Sequence, residues 1–87
     1  SVTAPMVEVE GTIPIRDLAT MYEIELPSEA GFETLAGFLL SQLGYIPKPG
    51  DQVTYGDRRF TILEMDRNRV ARVRIERNHQ RRSRNEL

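Results

Sequence analysis

The sequence predicts a small α+β fold, a two-layer sandwich with the order β-α-α-β-β-β and an antiparallel C-terminal meander. Apolar residues recur at helical spacing within residues 13–43, whereas they alternate with polar residues before and after that region. Strands that are separated from helices along the chain are typical of α+β folds. The chain has 87 residues, which supports one domain with a small core.

The first strand and the first helix are short. Val7 and Val9 alternate with glutamates at strand period, and Gly11 ends this run. A helix is predicted over residues 13–22, because Pro14 is tolerated near a first helical turn. One face of this helix is expected to be buried, and it is formed by Leu18, Met21 and Tyr22.

The second helix has clear signals at both ends. Thr34 is predicted to cap its N-terminus, and Gly44 stands where a left-handed C-cap belongs. Gly37 lies inside this helix, where glycine is unfavourable, so we expect a close backbone approach at that position. The face expected to be buried consists of Leu35, Phe38, Leu39 and Leu43.

The C-terminal half predicts three strands joined by tight turns. Gly56 and Asp57 form a two-residue hairpin signal, and in the second turn Asn68 is expected to adopt a positive φ. The strand over residues 58–65 carries apolar residues on both faces, which indicates a central strand or a bulge. The last strand, residues 69–77, is expected to bury a face formed by Ala71, Val73 and Ile75.

The chain divides into a domain and two flanking segments. Residues 1–5 are interpreted as a linker remnant, residues 6–77 as the domain, and residues 78–87 as a basic, disordered tail. No apolar run approaches the roughly 18 residues of a membrane-spanning helix, and the N-terminus lacks the pattern of a secretory signal. The absence of cysteine excludes a disulfide scaffold, a thiolate zinc site and a cysteine nucleophile. We therefore expect a soluble module compatible with the cytosol.

The net charge of −1 hides an uneven distribution along the chain. Residues 1–51 carry two basic and eight acidic groups, whereas residues 52–87 carry ten arginines and five acidic groups. Such a division is found in nucleic-acid-binding proteins, but it also arises when the two halves attract each other or when a partner covers one half. We favour attraction between the halves, or simple solvation.

Two acidic pairs are the candidate metal ligands. Glu8 and Glu10 share one strand face, and Glu64 and Asp66 lead into the final turn. Neither pair has the spacing of a known metal-binding loop, and the only histidine, His79, falls in the predicted tail. The sequence therefore predicts no metal site. It also shows no arrangement of nucleophile and base, so we expect no catalytic residues and no enzyme.

Arg72 and Arg74 are the candidate ligand-binding residues, because they project from the same strand face. Guanidinium groups bind phosphates and carboxylates alike, so this face is a candidate anion site. A solvated face that discourages aggregation is the favoured interpretation. The arginines of residues 78–87 give a weaker alternative, nucleic-acid binding, but no aromatic residue is interleaved with them for base stacking. We expect no nucleic-acid partner.

Four segments resemble, in order, a known family, the transporter-associated (CorC/HlyC) domain. Together they extend from Val9 to Ile75, and Glu10 departs mildly from the aspartate that is common before Gly11 in the family. The segments are Gly11-Thr12-Ile13-Pro14-Ile15-Arg16-Asp17-Leu18, Glu33-Thr34-Leu35-Ala36-Gly37-Phe38-Leu39-Leu40, Leu43-Gly44-Tyr45-Ile46-Pro47-Lys48-Pro49-Gly50-Asp51, and Phe60-Thr61-Ile62-Leu63-Glu64-Met65-Asp66 with the strand that follows it.

This resemblance implies an accessory domain at the C-terminal end of CBS-pair membrane proteins described as magnesium and cobalt efflux or hemolysin-like proteins. The implied function is non-enzymatic regulation of divalent-cation transport, on the cytosolic side of the inner membrane. The implied partners are the CBS pair, the transmembrane region and a second copy of the domain. The family's fold is grouped with FAD-binding domains, so binding of FAD or an adenine nucleotide at Arg72 and Arg74 is the alternative by analogy. No cofactor is otherwise expected.

Overall fold

The computed structural model describes residues 6–27 and 31–77, which form four strands and two helices. The strands pair in one antiparallel sheet with the order β1-β4-β3-β2. The predicted α+β class, the element order and the C-terminal meander are confirmed, whereas the predicted linker and tail lie outside the described residues. The elements are β1 (Met6–Glu10), α1 (Ile15–Tyr22), α2 (Leu35–Leu43), β2 (Gln52–Tyr55), β3 (Arg58–Asp66) and β4 (Arg69–Arg77).

Helix α1 begins two residues later than predicted, because Pro14 keeps an extended backbone with a ψ of 144°. Pro14 forms an isolated β-bridge with Thr34, the residue that caps α2. Beside this bridge, the N–H of Ile15 donates to the carbonyl of Glu33 at 2.9 Å, and the N–H of Leu35 donates to the carbonyl of Ile13 at 3.0 Å. The starts of the two helices are thus joined through backbone hydrogen bonds.

The buried face of α1 differs from the prediction at one position. Leu18 is fully buried and Tyr22 packs against the core, but Met21 is 64% exposed, so the prediction for Met21 is wrong. Ile15 is 6% exposed and belongs to the core instead. At about 100° per residue, Met21 lies about 120° from Ile15 around the helix axis, which places it beyond the edge of the buried face.

Helix α2 follows the prediction at both ends. The hydroxyl of Thr34 accepts a hydrogen bond from the N–H of Gly37 at 3.2 Å. Gly44 has a φ of 79°, and its N–H donates to the carbonyl of Leu40 at 2.9 Å. The expected face packs into the core, with full burial of Leu35, Phe38 and Leu39 and partial burial of Leu43.

Strands β3 and β4 change the face that they bury about halfway along their length. Ile62 pairs with Val73 and Met65 pairs with Val70, and the register is irregular between these two pairs, which confirms the predicted bulge. Without this irregularity, Ile62 and Met65 could not both face the core, since side chains alternate along a strand. Val70 is 2% exposed and takes the core position predicted for Ala71, so that prediction is wrong.

The two hairpin turns each contain two residues. Gly56 and Asp57 join β2 to β3 as predicted, and Gly56 has a φ of 63°. In the β3–β4 turn it is Arg67, with a φ of 62°, that adopts the left-handed conformation, so the prediction for Asn68 is wrong. A type II′ turn has a positive φ at its first central residue only.

Gly11 lies where β1, β4 and α2 meet. Its N–H donates to the carbonyl of Ala71 at 3.0 Å, and its own carbonyl accepts from the N–H of Ala36 at 2.9 Å. A Cβ atom at position 11 would overlap the carbonyl oxygen of Val70. Since the obstructing atom belongs to the backbone of a paired strand, no rotamer change can relieve that overlap.

We expect Gly11→Ala to lower the free energy of unfolding by about 3 kcal/mol, because the added methyl group displaces β1 from β4. Urea unfolding followed by circular dichroism measures this loss. Thr12→Ala, at the exposed next position, is the control and is expected to change the free energy by less than about 0.5 kcal/mol. Equal stability of the two variants would contradict the role assigned to Gly11.

Gly37→Leu is expected to lower the melting temperature, with a loss of about 1–3 kcal/mol in the free energy of unfolding. A Cβ atom at position 37 would lie 3.1 Å from Cβ of Phe32, so Phe32 must give way by a few tenths of an ångström. The neighbouring atom thus belongs to a side chain and not, as predicted, to the backbone. Ser41→Leu tests the same side chain at an exposed position of α2. An unchanged melting temperature for the Gly37 variant would refute the predicted close approach.

Candidate functional site

The candidate residues lie on the sheet face opposite the helices. This outer face carries Glu8 and Glu10 from β1 and Arg72 and Arg74 from β4. In the antiparallel register, Glu8 lies opposite Arg74, and Glu10 lies opposite Arg72. Atom Nη2 of Arg74 is 3.7 Å from Oε2 of Glu8. Attraction between the acidic and basic halves of the chain, which the sequence favoured, therefore operates across this strand pair.

The structure places Arg72 and Arg74 on one face, as predicted. The residues next to Arg72 on the neighbouring strands differ from those next to Arg74. Arg72 lies between Glu10 of β1 and Glu64 of β3, so it has a carboxylate on each neighbouring strand. Arg74 has Glu8 on one side only, since its β3 partner is a threonine. Arg74 is thus the better placed of the two for an added anion. Anion binding by this pair stays a prediction.

The candidate metal ligands do not gather into a cluster. Glu64 and Asp66 are exposed near the end of β3. Within residues 6–27 and 31–77, no three acidic or histidine side chains converge so that they could hold a metal ion. His79 lies outside those ranges.

Arg59 is a further arginine of the outer face, and the sequence analysis did not single it out. It lies opposite Glu76, and its Nε is 4.0 Å from Oε2 of that residue. The Nε atoms of Arg59 and Arg74 are both buried, and neither has a hydrogen-bond partner within the described part of the chain. Buried donors without a partner are rare and cost about 1–3 kcal/mol each. The alternation around buried Phe60 is the sequence signal that could have placed Arg59 on this face.

Asp57, in the β2–β3 turn, contacts two arginines of the basic half. Its Oδ2 accepts a hydrogen bond from Nη1 of Arg77 at 3.2 Å, and its Oδ1 is 3.7 Å from Nε of Arg58. The β2–β3 turn is thereby tied to the end of β4. Asp57 belongs to the basic half, so these contacts balance part of the positive charge of that half from within it.

An open cleft of about 670 Å³ lies beside α1. Two glutamates and one arginine line it, so the cleft offers the pyrophosphate of FAD no net positive charge. Binding of FAD or an adenine nucleotide at Arg72 and Arg74 stays a prediction. The lining of the cleft includes apolar Ile15, Leu26 and Phe32 and charged Arg16, Glu25 and Glu33.

Comparison with known proteins gives one consistent family. The model of the family described as Transporter associated domain, CorC_HlyC, matches residues 5–79. UPF0053 protein YegH of Escherichia coli is 35% identical over 65 residues, 75% of this chain. The polyamine export protein of Salmonella typhimurium is 31% identical over 70 residues, 79% of this chain.

A solved structure supports the same assignment. It is the transporter associated domain CorC_HlyC of a Xylella fastidiosa hemolysin, in complex with Mg²⁺ and Mn²⁺. Its TM-score is 0.71 at 28% identity, and the alignment covers 85% of this chain and 98% of that one.

The chain corresponds to a small part of its longer relatives, since it spans 12% of YegH and 16% of the polyamine export protein. No helix in the two described ranges is long and apolar enough to cross a membrane. The matched family is a transporter-associated domain and not an enzyme family. Because the match includes every strand and helix of the described fold, the chain belongs to the transporter-associated (CorC_HlyC) domain family.

Proposed function

We propose that this chain is a non-catalytic regulatory domain that modulates cation transport by a longer membrane protein. The observation that carries the proposal is the family match, together with longer relatives, among them a polyamine export protein, of which this chain spans only 12–16%. A domain that forms so small a part of an export protein is well suited to adjust the transport step rather than to perform it.

The arrangement of charged groups supports a role in contacts rather than in chemistry. Acidic and basic side chains of the outer face lie opposite each other, as Glu8 and Arg74 or Arg59 and Glu76 do. Paired, half-exposed groups of this kind suit recognition of another surface, where complementary charges set orientation and specificity. They are not arranged as a nucleophile beside its base.

Two classes of cargo are candidates for the longer protein. A divalent cation, magnesium or cobalt, follows from the family resemblance, and the Xylella fastidiosa relative in complex with Mg²⁺ and Mn²⁺ supports it. A polyamine is the second candidate, supported by the name of the Salmonella typhimurium relative. Both classes are small cations with more than one charge. We propose the divalent cation as the cargo and keep the polyamine as the alternative.

The same proposal extends to partners and location. We propose that the domain contacts a CBS pair within the longer protein and lies on the cytosolic side of the inner membrane. A homodimer of the domain stays a prediction.

Deletion of residues 6–77 from the longer protein is expected to change cation tolerance of the cells several-fold. Growth is measured separately in toxic magnesium, cobalt and spermidine, with the membrane abundance of the protein determined in parallel. Sensitivity to magnesium or cobalt alone supports the divalent-cation proposal, and sensitivity to spermidine alone overturns it in favour of the polyamine.

Two variants of the longer protein make this test specific. Gly11→Ala is expected to change the cation tolerance in the same direction as the deletion but by less, since it destabilises the domain without shortening the protein. Thr12→Ala is expected to behave like the unaltered protein. Normal growth of the deletion strain in all three media, at normal protein abundance, would sink the regulatory role.

A further inference from the structure

We propose that two copies of this chain associate through β2, which pairs antiparallel with the β2 strand of the second copy. Strand β2 is an edge of the sheet, so one side of its backbone has no neighbouring strand within the described fold. An edge strand without protection is a template for pairing with another chain. The inference gives the predicted homodimer its interface, and it depends neither on the cargo nor on the regulatory role proposed above.

The outward hydrogen-bonding groups of β2 belong to Gln52 and Thr54. The N–H of Ile62 on β3 donates to the carbonyl of Asp51 at 2.9 Å. Because bonded residues alternate along an antiparallel pair, Val53 bonds to β3, whereas Gln52 and Thr54 direct their N–H and C=O groups away from it. Within residues 6–27 and 31–77, no backbone hydrogen bond from another segment reaches these outward groups.

The opposite edge, β1, is protected by charge. The N–H of Gly11, just after β1, donates to the carbonyl of Ala71 on β4. By the same alternation, Glu8 and Glu10 direct their backbone groups outward. A second β1 strand centred on Glu8 or on Val9 would bring glutamates opposite each other, which destabilises a strand pair. Strand β2 contains no charged residue, so a second copy of it meets no such repulsion.

The register of the proposed pair follows from the two sides of the sheet. A twofold axis through Val53, perpendicular to the sheet, keeps the helices of both copies on the same side. Gln52 of each copy then lies opposite Thr54 of the other, and these two residues exchange both backbone N–H···O bonds. Their side chains share the outer face, where Gln52 already donates to a threonine hydroxyl, Oγ1 of Thr61, at 3.4 Å. Centred on Thr54 instead, the pair would place Gln52 opposite Gly56, which belongs to the turn.

The same edge carries an exposed aromatic residue. Tyr55 is 37% exposed, although its ring meets that of Phe38 with centroids 5.3 Å apart. A second β2 strand gives this ring a neighbour from outside the chain. Two strands of four residues bury far less than the roughly 1,200 Å² of a standard interface. We therefore expect a weak dimer, with a dissociation constant of about 0.1–1 mM.

The test follows the outward N–H groups by amide hydrogen exchange in ¹⁵N–¹H spectra of the 87-residue chain, at about 0.05 mM and at about 2 mM. At the higher concentration, the N–H groups of Gln52 and Thr54 are expected to exchange at least about twofold more slowly, because the dimer occupies them. Glu8 and Glu10, at the other edge, are the internal control and are expected to exchange equally fast at both concentrations. Equal exchange of Gln52 and Thr54 at both concentrations, or slowing at both edges alike, would overturn the proposal.

A proline variant separates the dimer from the fold. Thr54→Pro removes an outward N–H and leaves the bonds between β2 and β3 in place, since proline is tolerated on edge strands where the N–H faces solvent. It is expected to raise the dissociation constant, measured by sedimentation equilibrium, at least about tenfold. Glu8→Pro is the matched control at the β1 edge and is expected to associate like the parent chain. Undiminished association of the Thr54 variant would contradict the interface.

A pair of charge variants keeps the test decisive if the proline disturbs the fold. Gln52 and Thr54 are both exposed, so they can be replaced at little cost in stability. Gln52→Lys with Thr54→Lys sets lysines opposite each other across the interface, and Gln52→Glu with Thr54→Glu sets glutamates opposite each other. Each double variant is expected to stay monomeric at about 2 mM, whereas an equimolar mixture is expected to associate at least as tightly as the parent chain. Self-association of either double variant, or no association in the mixture, would overturn the proposal.

Discussion

The contact of Gly11 with the backbone of Val70 is the constraint on which the rest of this fold depends. It lets the end of β1 approach β4 closely enough for the Gly11 N–H to reach the carbonyl of Ala71. The Gly11 carbonyl then holds the first turn of α2 through Ala36. One residue without a side chain therefore fixes an edge strand, a central strand and a helix relative to one another.

The core that this arrangement encloses is organised around Phe38 of α2. Its ring meets those of Phe32, Tyr55 and Phe60 in edge-on contacts, with centroids 5.3–5.9 Å apart. Such contacts add specific geometry to the burial of apolar area. Phe38 thereby connects the loop before α2, the edge strand β2 and the central strand β3. In a core of this small size, one aromatic cluster holds the helical layer on the sheet.

Local signals explain which features could be predicted from the sequence. The caps of α2 and the Gly56-Asp57 turn depend on neighbouring residues alone, and both predictions are confirmed. The predictions for Met21 and Ala71 are wrong because burial there is decided by packing against distant segments. Arg59 was not singled out, although the alternation around Phe60 places it on the outer face. Its pairing with Glu76 could not be predicted from neighbouring residues, because it exists only once β3 and β4 are paired.

The strand order has a mechanical consequence for any protein that contains this domain. Met6 at the start of β1 lies opposite Glu76 near the end of β4, so the chain enters and leaves the described fold side by side. Tension applied through both flanking segments would therefore load the β1–β4 pairs one after another, as in a zipper, rather than all at once in shear. Because β1 is the edge strand of the sheet, it is the strand that detaches first under such tension.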